Sequence, residues 1–179
     1  PSSTGPRHVP PAGTGSPGGA FVPVPGAVLS SSPRDRWWGA TVCIGAVLAV
    51  LPTHTLGFVH DDHALIADSD KVGDLSTLPT ALVSDLFWLS DSVRPSPYWR
   101  PWISLSYYVD HLVGGGEAWA FHLHNAGLGV LLALAIWRWC GKSGRGALVA
   151  ALVLLHPAFV EPLANITART DLYVALLGT

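Results

Sequence analysis

The sequence predicts an all-α, polytopic membrane protein, and three observations predict it. Of its 179 residues 49% are hydrophobic and 12% charged, with a mean hydropathy of +0.38, a balance that soluble domains of this size rarely show. The apolar residues gather in runs long enough to cross the roughly 30 Å hydrocarbon core of a bilayer. Between the first two runs lies an acidic segment that opens with Asp61 and Asp62. A carboxylate deep in lipid costs about 2.5–3.5 kcal/mol, so this pair marks where the chain leaves the membrane.

Residues 1–33 are rich in Pro, Gly and Ser and poor in bulky apolar side chains, the composition of a disordered tail. No compact charged-then-apolar leader opens it, so the first apolar run is expected to stay as an anchor. Arg34 and Arg36, followed by Trp37 and Trp38 at headgroup level, introduce a span over about 37–59, which Pro52 and His54 can end early. Basic flanks put the tail in the cytoplasm and Asp61-Asp62 on the far side. Residues 60–119 then form a long extracytoplasmic loop, with nine acidic residues against Lys71, Arg94 and Arg100. Two amphipathic helices are expected on the membrane surface within it. One covers Leu75 to Leu89, with Leu78, Leu82, Leu86 and Leu89; the other covers Tyr98 to Val113, with a stripe of Trp102, Leu105, Tyr108, Val109 and Leu112. The second span is about 120–140, and Arg138, Lys142 and Arg145 return its end to the cytoplasm. A third covers about 146–163, where Pro157 and Pro162 obscure the end, and a fourth begins near Leu172 and runs to 179. The spans and loop together, 34–179, read as one membrane domain. A chain that starts at Pro1 without Met and stops inside an apolar run is expected to be a piece of something longer. Its preference for Arg over Lys, with abundant Ala, Gly and Pro, suits a GC-rich bacterial genome.

A net charge of −2 with scattered basic residues argues against a nucleic-acid partner. Cys43 and Cys140 lie in apolar runs, the setting of small buried hydrophobes rather than of a disulfide or metal site. Four polar groups instead converge on one membrane face in this topology: Asp61-Asp62, Tyr98 to Arg100, His122 with Asn125, and His156 through Asp171. Each alone has an ordinary explanation, such as Arg100 snorkelling to headgroups or Glu161 neutralising Arg169. Together they outline a functional cavity, because ionisable groups near a bilayer are costly. A transporter or channel would spread such residues through the membrane's depth, whereas here they cluster on one side of nearly uncharged spans. An inactive membrane scaffold displaying soluble repeats is the other reading these residues leave open.

The ordered set Phe58-Val59-His60-Asp61-Asp62, Tyr98-Trp99-Arg100-Pro101 with Leu105-Ser106 and Asp110-His111, Phe121-His122-Leu123 with Asn125, and His156-Pro157, Glu161, Ile166, Arg169 and Asp171-Leu172 carries a resemblance. It resembles the membrane half of the transmembrane and tetratricopeptide-repeat containing proteins, which are similar to the protein O-mannosyltransferases of the GT-C class of glycosyltransferases. The resemblance covers residues 37–179, and no tetratricopeptide repeat occurs among them. It implies a GT-C-like helical bundle, a polyprenyl- or dolichyl-phosphate sugar donor, usually mannose, and a Ser or Thr hydroxyl of an acceptor protein. The location expected with a bacterial source is the inner membrane, or the endoplasmic reticulum membrane in a eukaryote. It also implies that Asp61 or Asp62 is the general base.

The chemistry of these residues agrees. An alcohol attacking an anomeric carbon must lose its proton, a partly desolvated carboxylate beside a second one suits that task, and single displacement needs one base. The departing lipid phosphate needs positive charge, from Arg169 or Arg100, with His156 and His122 available to hydrogen-bond the sugar or phosphate. Glu161, Asn165 and Arg169 fall at i, i+4 positions, so a helix over 163–172 would align them and let Glu161 orient Arg169. Tyr98, Asn125 and Asp171 complete the polar surroundings. A divalent metal on Asp61, Asp62 and a histidine is compatible with the residue types, but no spacing demands one. Asn165-Ile166-Thr167 fits a glycosylation sequon, read here as a chance match because of its depth in the membrane.

Overall fold

The computed structural model describes residues 33–90 and 97–178, so the tail expected over 1–33 lies, but for Pro33, outside the described residues. Among the described residues there is no strand, and the chain is an all-α membrane protein. Helix α1 (Pro33–Val50) runs on through a 3-10 turn, Leu51–Thr55, which Pro52 starts. Trp37–Thr55 is long and apolar enough to cross a membrane, and so is α4 (Ala118–Trp139). The two run antiparallel, since Gly39 faces Trp137 at one end and Val50 faces Gly129 further along. After Gly141 turns the chain with φ 86°, α5 (Gly144–Leu154) returns beside both, its N-terminus capped by Ser143 Oγ accepting from Gly146 N at 3.2 Å. Gly144 packs against Trp38, so the start of α1 and the α4–α5 turn lie at the same end of the bundle.

Lipid offers apolar side chains no hydrophobic advantage in associating, so packing in such a bundle relies on close van der Waals contact between small residues. Ala46, Ala133 and Ala150 sit in the buried core with Val42, Val50, Leu132 and Leu154. Gly129 shows how close the approach is: a Cβ there would lie 2.7 Å from Leu163 Cδ2.

The single third span expected over 146–163 is instead two helices, α5 and α6 (Pro157–Ala164), bent by 63°. Pro157 cannot continue α5, and the His156 side chain caps the new helix by accepting from Ala158 N at 3.2 Å. Asn165 is extended, a 3-10 turn covers Ile166–Ala168, and α7 (Arg169–Leu177) begins three residues before the expected Leu172.

The loop over 60–119 packs around a second core containing Leu65, Ile66, Val72, Leu86, Leu89, Tyr107, Phe121 and Ile166. The single helix expected over Leu75 to Leu89 breaks into a 3-10 turn, Leu75–Thr77, then α2 (Leu78–Val83) and a second turn, Leu86–Leu89. Pro79 opens α2, and extended backbone at Ser84 and Asp85 ends it. Helix α3 (Pro101–Gly114) forms as expected and stops at Gly115, whose φ of 63° suits glycine and whose N–H reaches His111 O at 2.7 Å. Its apolar stripe points outward: Trp102, Val109 and Leu112 are exposed, while Ser104, Ser106, Tyr107 and Asp110 are buried. Of that stripe only Tyr108 turns inward. An apolar outer face on an amphipathic helix is what a membrane surface accommodates.

Candidate functional site

His60, held at φ 48°, turns the chain out of the first span so that Asp61 and Asp62 diverge. Asp61 is exposed, whereas Asp62 is fully buried. The Asp62 carboxylate accepts from three backbone N–H groups: Val59 at 3.2 Å, Ile166 at 3.3 Å and Thr167 at 2.8 Å. Asn165 Oδ1 shares Thr167 N at 3.1 Å and takes its hydroxyl at 2.8 Å. Asp62 therefore pins the 166–168 turn to the mouth of the first span, a distance of more than a hundred residues along the chain.

That turn delivers Arg169 into the interior with no exposed surface. Its Nη1 donates to Asp110 Oδ2 at 2.6 Å and to Ser106 Oγ at 2.7 Å, its Nε to Asn125 Oδ1 at 2.9 Å, and its Nη2 to Phe121 O at 3.1 Å. The guanidinium also lies 5.0 Å from the Tyr107 ring centroid. Burial pushes the Tyr107 hydroxyl well above the usual phenol range, an effect that Arg169 only partly offsets, so this side chain stays protonated. The second oxygen of Asp110 meets His124 Nδ1 at 2.7 Å, and His124 Nε2 meets the Tyr173 hydroxyl at 2.8 Å. Asn125 closes the cluster by donating to Pro162 O at 3.0 Å and Asn165 O at 3.2 Å.

Helices α3 and α7 each pack on α4 and leave a groove of about 670 Å³ between them. Trp102, Leu105, Val109, Val174 and Leu177 line its sides, with His124 and Tyr173 also facing it. At one end Arg100 Nη1 donates to Thr170 Oγ1 at 3.2 Å and the guanidinium stacks 4.9 Å from the Tyr98 ring. Among the described residues no carboxylate pairs with Arg100, which lines the groove. This is an amphipathic trough, apolar along its length and cationic at its end. Thr170 is three residues from Thr167, which Asp62 holds, so the Arg100 end and the turn exposing Asp61 are tied to one short segment.

The chain is 34% identical over 137 residues to Protein O-mannosyl-transferase Tmtc1 of Drosophila melanogaster, 36% over 139 residues to Protein O-mannosyl-transferase Tmtc2 of the same fly, and 31% over 128 residues to Protein O-mannosyl-transferase TMTC1 of Mus musculus. These matches cover 71%, 73% and 67% of the chain. It belongs to this transmembrane and tetratricopeptide-repeat family. The chain spans only 14–15% of the length of these relatives. No family model matches it, and no solved structure does.

Within this family member the expected site residues separate into two sets. Asp62, Asn125, Asn165 and Arg169 come together in the buried network, and His122 is buried beside it, 3.2 Å from Gly57 O. Arg100 and Tyr98 adjoin the groove end. The helical face expected to join Glu161, Asn165 and Arg169 does not form, because α6 ends at Ala164 and Asn165 is extended. Glu161 is exposed, and Asp110 takes the place expected of it as partner to Arg169. His156 is exposed and serves as the α6 cap, and Asp171 is exposed in the first turn of α7, where a carboxylate suits the helix dipole. Arg169, expected to bind phosphate, points inward with its donors engaged by protein acceptors. Among the described residues no cluster of three or more His, Cys, Asp or Glu gathers to hold a metal, and both Asp62 oxygens are committed to backbone N–H groups. Sequence reasoning missed Asp110, His124, Thr170 and Tyr173 as site residues. Ser106 and Asp110 carried a signal, an i, i+4 polar pair on the side of α3 opposite its apolar stripe.

Proposed function

We propose that this chain is the membrane portion of a glycosyltransferase that takes a sugar, mannose by analogy with the names of its relatives, from a polyprenyl- or dolichyl-phosphate carrier. The acceptor is a Ser or Thr hydroxyl of a protein on the extracytoplasmic side. The observation that carries this reading is the amphipathic groove, whose apolar walls suit an isoprenoid chain and whose Arg100, with no carboxylate partner among the described residues, suits a phosphate. Arg100 stabilises the charge that builds on the phosphate as the bond between the anomeric carbon and the phosphate oxygen breaks, an effect enlarged where water is excluded. Asp61, exposed at the turn tied to the same segment, takes the hydroxyl proton as the alcohol oxygen attacks. Asp62 is then a positioning residue that fixes this turn.

The test is sugar transfer from a polyprenyl-phosphate sugar to a Ser/Thr peptide by the full-length protein. Asp61→Asn is expected to lower the rate by about 100- to 10,000-fold. Arg100→Ala is expected to raise the apparent donor KM more than Arg100→Lys, because lysine keeps the charge but loses the planar paired donors. Near-unchanged kinetics in both Asp61→Asn and Arg100→Ala would overturn the proposal.

A further inference from the structure

The groove floor carries a hydrogen-bonded chain that the proposed chemistry leaves unused. Asp110 Oδ2 is taken by Arg169 and Oδ1 faces His124 Nδ1 at 2.7 Å, so Nδ1 carries the proton and donates. Nε2 then meets the Tyr173 hydroxyl at 2.8 Å, and both His124 and Tyr173 line the groove. Tyr173 lies three residues after Thr170 on α7, one turn from the hydroxyl that receives Arg100, so Arg100, Thr170 and Tyr173 border one stretch of the groove.

With His124 neutral, Nε2 is an acceptor and the only proton of Tyr173 is donated to it, which leaves that hydroxyl no hydrogen for a ligand. When water supplies a proton to Nε2, the new N–H donates to the Tyr173 oxygen, and the hydroxyl hydrogen is released to turn toward the groove. Among the described residues, the titratable and charged groups facing His124 are Asp110 on α3, Tyr173 and, behind Asp110, Arg169 on α7, with Arg100 at the end of the same groove. Asp110 is placed to hold the imidazolium, and an incoming anion is placed to receive the released hydrogen.

We infer that Tyr173, backed by His124 and Asp110, is a second ligand to the phosphate of an isoprenyl phosphate in this groove, and that it engages when His124 is protonated. This rests on the groove being a lipid-phosphate site. Tyr173 contacts the ligand, while His124 and Asp110 act through it.

The probe is the methyl phosphodiester of farnesol, which carries a single charge that does not titrate near neutrality, compared with farnesol itself on the full-length protein in nanodiscs. Affinity for the phosphodiester is expected to fall as pH rises, while farnesol binding stays level. Tyr173→Phe is expected to bind the phosphodiester about ten-fold more weakly at the acidic end, with the pH dependence gone, since a hydrogen bond to a charged group is lost. His124→Gln, whose amide N–H can donate to Tyr173 at every pH, is expected to keep tight binding and lose only the pH dependence. Tyr173→Phe with wild-type affinity and pH profile would overturn the inference even if Arg100→Ala abolished binding. Failure of the unsubstituted protein to bind the phosphodiester would overturn both this and the groove reading.

Discussion

Arg169→Ala distinguishes a residue that builds the site from one that touches the donor. The guanidinium is fully buried and donates to Asp110, Ser106, Asn125 and the Phe121 carbonyl, so its removal leaves a buried carboxylate with only His124 and takes a donor from three further acceptors. Breaking a buried pair in this way typically costs about 3–5 kcal/mol, far more than the loss of an exposed ligand side chain would. Lysine restores the charge but not a fork that can reach four acceptors, so Arg169→Lys is expected to recover only part of the loss. Replacing the pair together, Arg169→Met with Asp110→Leu, removes the stranded charge and is expected to be less destabilising than Arg169→Ala alone, the sign of coupling between the two positions. The assay is denaturant unfolding of the full-length protein in detergent, followed alongside donor titration. A destabilisation below about 1 kcal/mol in Arg169→Ala, accompanied by a selective loss of donor affinity, would refute this reasoning and return Arg169 to the role of phosphate ligand.

The two aspartates should part in the same experiments: Asp62→Asn is expected to destabilise by about 1–3 kcal/mol, because an amide oxygen cannot serve the three backbone N–H groups that the carboxylate holds. Asp61→Asn should leave unfolding unchanged. In a Cys43→Ala background, a membrane-impermeant maleimide should label Thr80→Cys from outside and native Cys140 only after permeabilisation; the reverse pattern would invert the topology. Val174→Trp is expected to raise the KM for a long-chain donor more than for a short-chain one, since it fills the apolar part of the groove, and equal effects on both would place the chain elsewhere. Asp74 caps the Leu75–Thr77 turn, and its bonds from Ser76 N and then Ser76 Oγ hold its carboxyl below the ordinary 3.8. Its contribution is therefore complete above 3.8 and lost as pH falls through the lower folded value, so hydrogen exchange over residues 74–78 should differ between the protein and Asp74→Ala at neutral pH and converge in acid.

Much of the framework was legible because membrane insertion is read from composition and length. Two helices long and apolar enough to cross a membrane, the helix over Pro101–Gly114 and the gathering of Asp62, Asn125 and Arg169 all follow from apolar runs and the cost of placing charge in lipid. What failed were register arguments across breaks. The i, i+4 alignment of Glu161, Asn165 and Arg169 presumed an unbroken helix, whereas Pro157 restarts the chain and the extended Asn165 resets the phase before α7. A short turn can rotate the next helix through any angle, so the inward direction of Arg169 was set by Asp110 and by Asp62 holding residues 166 and 167, contacts distant in sequence. His124 and Tyr173 left no local signal, because their meeting depends on how α4 and α7 cross.

The inverted character of α3 links these observations to function. In a water-soluble domain a stripe of Trp102, Leu105, Val109 and Leu112 would define the buried face, and Ser106 and Asp110 would be solvated. Here the stripe is turned outward and the polar residues are collected on Arg169, the arrangement that apolar surroundings would favour. A buried ion pair is an expensive way to join two helices, and its gain lies in direction: the bonds from Ser106 and Asp110 to one guanidinium fix the rotation of α3 relative to α7. That rotation decides which side chains border the groove. With α3 held so, Leu105 and Val109 present an apolar wall while Arg100, at the helix start, meets Thr170. The interior charge cluster and the exposed apolar stripe are thus two sides of one helix, and Trp102, Leu105 and Val109 of that stripe wall the groove proposed to take a lipid phosphate.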